Sequence, residues 1–196
     1  MDIIANNKGM TELGFYKILS IKSVFPKSLP KTVLEAHPSI IPIVKPEFIP
    51  SKTLLNPYWI AGFVQADGTF GLNYARVANR KLGYTCNPAF RITQHERDLI
   101  VLERIIHTLG CGKIIGPYSG RDRYDFSVWT VKDISEIIIP FFHNYSLYLR
   151  KSLAKLLDFQ SFCLGIAIIG KKGHLTQEGL DQLKLMAYSM NTYRKL

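Results

Sequence analysis

Apolar residues change their spacing several times along this 196-residue chain, and each change marks an element. Between Pro57 and Ala66 the side chains are mostly apolar, with the small residues Ala61, Gly62 and Ala66 among them, and the run closes on Asp67-Gly68. Pro57 suits a first helical turn and Gly68 a helix stop. Asp67 therefore projects from the end of a short helix, where that helix meets a sheet. Thr69 to Val77 then alternates Phe70, Leu72 and Tyr74 with Gly71, Asn73 and Ala75, the period of a strand. Beyond the polar turn Asn79-Arg80-Lys81, a second strand is predicted from Tyr84 to Gln94, with Pro88 at an edge or a bulge.

Helical spacing returns from Glu96 to Leu109, through Leu99, Leu102, Ile105, Ile106 and Leu109, and Gly110 and Gly112 stop it. Lys113 to Tyr118 and Arg123 to Thr130 predict a second hairpin around Gly120-Arg121-Asp122. Asp133 to Ile139 reads as a helix ended by Pro140, Ser146 to Phe162 as another, and Leu175 to Asn191 as the last. The predicted order is αββαββα with a C-terminal helix. Four antiparallel strands with helices on one face make an α+β layer fold whose other sheet face is left to solvent or a ligand.

Two distant segments share one pattern. Met10-Thr11, Gly14-Phe15, Ile18 and Ile21 align with Leu175-Thr176, Gly179-Leu180, Leu183 and Met186. Thr11 and Thr176 are predicted N-caps. Between residues 25 and 53 stand Pro26, Pro30, Pro38, Pro42, Pro46 and Pro50, a density that excludes a long helix and predicts an extended linker.

The hydrophobic share of 47% is that of a folded chain, and the formal net charge of +10 points to an anionic partner, nucleic acid above all. The longest apolar stretch read from the sequence, Phe162 to Ile169, is too short to span a bilayer, so no membrane partner is expected. Cys86, Cys111 and Cys163 are scattered, without CxxC or zinc spacing, which suits a reducing compartment. The N-terminus has neither a secretory hydrophobic core nor an Arg-rich amphipathic run, so an organellar location would imply synthesis inside the organelle.

The run Ile60-Ala61-Gly62-Phe63-Val64-Gln65-Ala66-Asp67-Gly68, with Tyr58-Trp59 before it and Thr69-Phe70-Gly71-Leu72 after it, resembles the signature of the LAGLIDADG homing endonucleases. The resemblance implies a site-specific DNA endonuclease that makes a staggered, Mg²⁺-dependent double-strand break, encoded by an organellar intron, in a mitochondrion rather than a chloroplast. It implies that Asp67 binds the catalytic metal with help from the Ala66 carbonyl, and that Gln94 lies near the metals. Ala61, Gly62 and Gln65 would form the interface with a second motif helix. The sheet would grip double-stranded DNA through Asn73, Arg76, Arg80, Lys81, Arg91, Lys113, Arg121 and Arg123.

One motif is present, and one carboxylate cannot complete such a site. A second motif must come from another half or from a second copy of the chain. In two-motif members a helix like that of residues 173 to 187 closes each half. Residues 1–24 thus resemble the last helix of a first half, 25–53 the connector, and 54–196 the endonuclease domain. A basic residue near the site is expected after Pro140-Phe141-Phe142; Tyr148 stands at the aligned position, with Arg150 and Lys151 as substitutes. His143-Asn144 lacks a metal-binding partner and reads as surface or core. The competing readings are an intron-RNA-binding maturase on the same scaffold and an inactive remnant.

Overall fold

The computed structural model describes residues 11–25, 29–44, 53–118, 120–145 and 153–193. The chain divides into two compact units, Met1–Ser51 and Lys52–Leu196.

In the first unit, helix α1 (Glu12–Lys22) starts at Thr11, whose hydroxyl accepts from the Gly14 amide at 3.1 Å. The proline-rich segment is not uniformly extended. Pro30 opens a six-residue helix, α2 (Lys31–Ala36), because a proline before the first turn gives up no helical hydrogen bond. The Tyr16 hydroxyl and His37 Nδ1 lie 3.3 Å apart, and Phe15, Tyr16 and His37 meet edge to face. Pro26, Pro46 and Pro50 lie outside the described residues.

The second unit begins with α3 (Pro57–Asp67), where the Asn56 side chain accepts from the Tyr58 amide at 2.9 Å. Gly68 ends this helix in extended backbone, not in the left-handed turn common at helix ends. Glycine is required there by space: a Cβ would stand 2.5 Å from Val64 Cγ1 and 2.7 Å from the Val64 carbonyl oxygen. The chain passes directly into β1 (Gly68–Arg76) and returns in β2 (Tyr84–His95). A 3₁₀ turn, Glu96–Asp98, leads to α4 (Leu99–Leu109), which Gly110 closes in the left-handed conformation. Then follow β3 (Lys113–Ile115) and β4 (Arg123–Val128). The antiparallel sheet has the order β1-β2-β4-β3. Pro88 sits where β2 has β1 alone as neighbour, since β4 pairs only with Phe90 to His95, and the edge reading of this proline holds.

The helix after β4 does not stop at Pro140. Its turns run through Val131–Asp133, a π segment at Ile134–Ile138, and Ile139–Asn144. The wider π turn relaxes the ladder just before the proline, which then occupies the first turn of the last segment and costs no hydrogen bond. We label this run α5. Helix α6 (Leu153–Gly170) extends eight residues past the predicted end, and its predicted start at Ser146 lies outside the described residues. Helix α7 (Gln177–Tyr188) is capped by Thr176, which accepts from the Gly179 amide at 3.2 Å, so both repeat threonines cap in the same way.

One face of the sheet carries the core. Phe70 and Phe90 stack at 5.1 Å between ring centroids, and Phe142, Phe159 and Phe162 surround Phe70 at 5.1 to 5.5 Å. Ile60 and Val64 of α3, Leu102 and Ile105 of α4, Ile134 and Ile138 of α5, and Leu180 and Leu183 of α7 complete it, all buried. Burying side chains of this size contributes about 1.5 to 3 kcal/mol each. By length and composition α6 could cross a membrane, being longer than the Phe162–Ile169 stretch from which no membrane partner is expected. Its Phe159, Phe162, Ile166 and Ile169 are spent in this core instead.

Candidate active site and nucleic-acid interface

The site is built at the junction of α3 and the sheet. Because α3 runs into β1 without a loop, Asp67 is held at the rim by two rigid elements, and its carboxylate is exposed. Gly68 pairs with Ile92 across the sheet, which brings Gln94 alongside. Gln94 Nε2 donates to Asp67 Oδ2 at 2.9 Å. That bond fixes one oxygen and leaves the other to face solvent or a ligand. The Ala66 position is exposed beside it. The two residues singled out for chemistry are thus brought together.

A third group was missed in the sequence. Lys155, in the first turn of α6, donates through Nζ to the Gly68 carbonyl. Burial pushes its pKa below the ordinary lysine range, while Asp158 and Asp67 pull it back up. A usable signal was present. Lys155 and Asp158 are the only charged residues in the eighteen of α6, three apart and hence on one face. The buried Asp158 accepts from the Asn191 amide at 3.0 Å, binding the C-terminal turn to the same helix. Tyr148, Arg150 and Lys151, where the basic residue was expected, lie outside the described residues.

Of the small helix residues, Ala61 turns into the domain's own core, whereas Gly62 is exposed and a Cβ there would meet nothing within 4 Å. Trp59, Gly62 and Ala66 follow one another at helical spacing along the exposed side of α3. Trp59 stacks on Phe63 at 5.0 Å, and the residue is still 45% exposed. Gln65 is half-buried between the two sides.

The sheet face opposite the core is polar and basic. Strand alternation and register put Asn73, Arg91, Lys113 and Arg123 on it, all exposed, together with Thr69, Asn87, Thr93 and His95. Arg91 and Lys113 flank Ser127 in one cross-strand row. Arg76 ends β1 with the opposite alternation, Arg80 and Lys81 lie in the turn between β1 and β2, and Arg121 lies in the connection between β3 and β4. The face carries one buried acid that sequence reasoning passed over. Asp125 accepts from the Thr93 hydroxyl at 2.6 Å and from the Tyr118 hydroxyl at 2.9 Å, which pins the β3–β4 connection to the sheet. Burial and this bond raise the pKa of Tyr118.

Among the described residues no cluster of three metal-binding side chains occurs. Burial pushes the thiols of Cys86, Cys111 and Cys163 up to about 11, so none is an activated nucleophile at neutral pH. The chemistry at this site is that of one exposed carboxylate, an amide that orients it, a half-buried ammonium and a basic sheet.

A four-stranded antiparallel sheet with helices on one face, a basic open face and an exposed acid at the helix–sheet junction defines an α+β domain. The sequence model of the LAGLIDADG endonuclease family matches residues 60–164, more than half of the chain, and the chain belongs to that family. It is 31% identical over 184 residues to a probable intron-encoded endonuclease 3 of Neurospora crassa, covering 93% of this chain and 33% of that protein. A probable intron-encoded endonuclease 2 of the same fungus is 29% identical over 192 residues, covering 93% and 40%. The crystal structure of the I-LtrWI LAGLIDADG homing endonuclease bound to target DNA superposes with a TM-score of 0.85 at 34% identity, covering 99% of this chain and 63% of that one. I-SmaMI bound to cleaved DNA gives 0.86 at 34% identity with the same coverage. The chain spans a third to two fifths of the length of these curated relatives and under two thirds of the solved chains.

Proposed function

We propose that this chain supplies one half of a site-specific DNA endonuclease that makes a metal-dependent double-strand break. The observation that carries the reading is the exposed Asp67 carboxylate, held by Gln94 at the junction of α3 and a sheet whose open face is basic. The family membership and the likeness to I-LtrWI and I-SmaMI, which are solved with DNA, support it.

Asp67 and the Ala66 carbonyl offer hard oxygen ligands of the kind Mg²⁺ takes, and a site for that ion can use few protein groups. I-SmaMI has been solved with uncleaved DNA in the presence of calcium ions, which supports a divalent ion as cofactor. When bound, such ions shield phosphate charge and activate water. Gln94 orients the carboxylate. Lys155 brings a positive charge beside it, kept from free solvent by burial. Arg91, Lys113, Arg123 and Asn73 contact the duplex, Arg suiting guanine and Asn adenine in the major groove. One carboxylate leaves the site incomplete. The exposed side of α3 with Trp59, Gly62 and Ala66 supports docking of a second motif helix, from a first half preceding residues 1–24 or from a second copy. The curated relatives named as intron-encoded, and one from an ND4 intron of Podospora anserina, support an intron origin in a mitochondrion.

The test is selection from a randomised duplex pool followed by Mg²⁺ addition. One long target cut on both strands by protein carrying two motifs supports the reading. Binding without any sequence preference would refute it.

A further inference from the structure

We propose that the cavity beside the unpaired stretch of β2, whose lining includes Asn87 at the end of the basic face, is a binding pocket for a single unpaired nucleotide, distinct from the Arg91–Lys113 row that faces the duplex. The strand β2 is twelve residues long, but from Tyr84 to Ala89 it has β1 alone as a neighbour. The Val77 amide donates to the Gly83 carbonyl at 2.8 Å, which sets the alternation of the antiparallel pair. Odd-numbered residues of β2 therefore exchange bonds with β1, and the peptide groups of Tyr84, Cys86 and Pro88 point to the open side. Pro88 has no amide to leave unpaired. Cys86 presents an N–H and a C=O next to one another.

A cavity of about 630 Å³ lies beyond this edge, within the range of pockets that take small ligands. Trp129 and His174 line it together with the exposed Arg80. The Nδ1 atom of His174 is buried and has no hydrogen-bond partner among the described residues. Lys171 and Lys172, both exposed, stand in the turn between Gly170 and His174. Among the described residues that line the cavity, none is acidic.

These groups suit one ligand chemistry. An indole offers a stacking surface that any base can use, and adjacent cations suit its phosphate. An N–H beside a C=O complements a base edge with acceptor and donor side by side, as adenine has. An unpaired imidazole nitrogen answers the sugar or the base. A strand edge can also take an extended peptide, but the open stretch is short and its surroundings are positive and aromatic. Cys86 lies opposite Tyr74, six residues along β1 from Gly68, which puts the pocket roughly 20 Å from Asp67. The pocket is therefore a second nucleic-acid site, and it stands whether or not the chain cuts DNA.

Fluorescence anisotropy of a labelled single-stranded oligoadenylate, titrated with the whole chain, tests it. Trp129→Leu should weaken binding by at least about fivefold, the low end of base–aromatic stacking, His174→Gln should also weaken it, and both should leave duplex retention in a gel shift unchanged. Circular dichroism checks that each variant folds, and if Trp129→Leu does not, His174→Gln decides. Equal affinity of the variants for oligoadenylate, no binding at all, or displacement of oligoadenylate by duplex would overturn the proposal. So would retention of an extended peptide at this edge in place of oligoadenylate.

Discussion

Gln94 Nε2 donates to Oδ2 of Asp67 at 2.9 Å, so the last residue of α3 is steered by the far end of β2. Removing such an orienting partner from a metal ligand costs about 10- to 100-fold in activity. Gln94→Ala should lower cleavage by that factor at saturating target, with duplex affinity unchanged, and a higher metal concentration should recover part of the loss. A metal titration of single-turnover cleavage checks this.

Lys155 is held partly out of solvent, and its lowered pKa is a cost carried in the folded state. A lysine depressed by burial weakens the fold most below its folded pKa, and the cost fades as pH rises toward the ordinary lysine value. Lys155→Met should therefore abolish most cleavage while the melting temperature at neutral pH holds or rises. The gain in stability should shrink at strongly alkaline pH. Thermal melts at the two pH values, set beside cleavage rates, test both parts.

Arg91 and Lys113 sit in one row across the exposed sheet face. Arg91→Ala should weaken target binding by about 1 to 3 kcal/mol and relax the preference at one base pair if it reads a base edge. If it holds a phosphate, it should lower the salt slope by about one. Binding isotherms at several salt concentrations on the target and its point variants separate these outcomes. No change in either quantity would remove this face from the interface.

Gly68 ends α3 with extended backbone, and its constraint is the Val64 side chain and carbonyl. Gly68→Ala should cost about 2 kcal/mol through forced displacement, or roughly 5 °C in melting temperature. A calorimetric scan measures it, and an unchanged midpoint would show that the junction yields.

The elements with a clean period were legible in the sequence. The alternation of Phe70, Leu72 and Tyr74 fixed β1, and Thr11 and Thr176 announced their caps, because these signals are local. Gln94 reaches Asp67 because a helix running straight into a strand leaves little freedom. What failed was non-local. Pro140 reads as a stop, yet the π turn at Ile134–Ile138 absorbs it, and nothing in the spacing announces such a turn. Pro30 starts a short helix within a segment that its proline density makes look extended. Lys155 escaped notice because its role comes from packing against Gly68, 87 residues away. The family resemblance and its small size put Ala61 at a helix interface, yet it is buried in the domain's own core, a placement set by packing that the motif does not show.

On the proposed reading, Asp67 carries the metal-dependent chemistry and not the grip on DNA. That reading is tested most directly by Asp67→Asn in protein that contains both motif helices, as a two-motif chain or as a dimer shown by its solution mass. The variant should retain the selected target with unchanged affinity and leave both strands intact in Mg²⁺. Cleavage by that variant at the parent rate would contradict the reading.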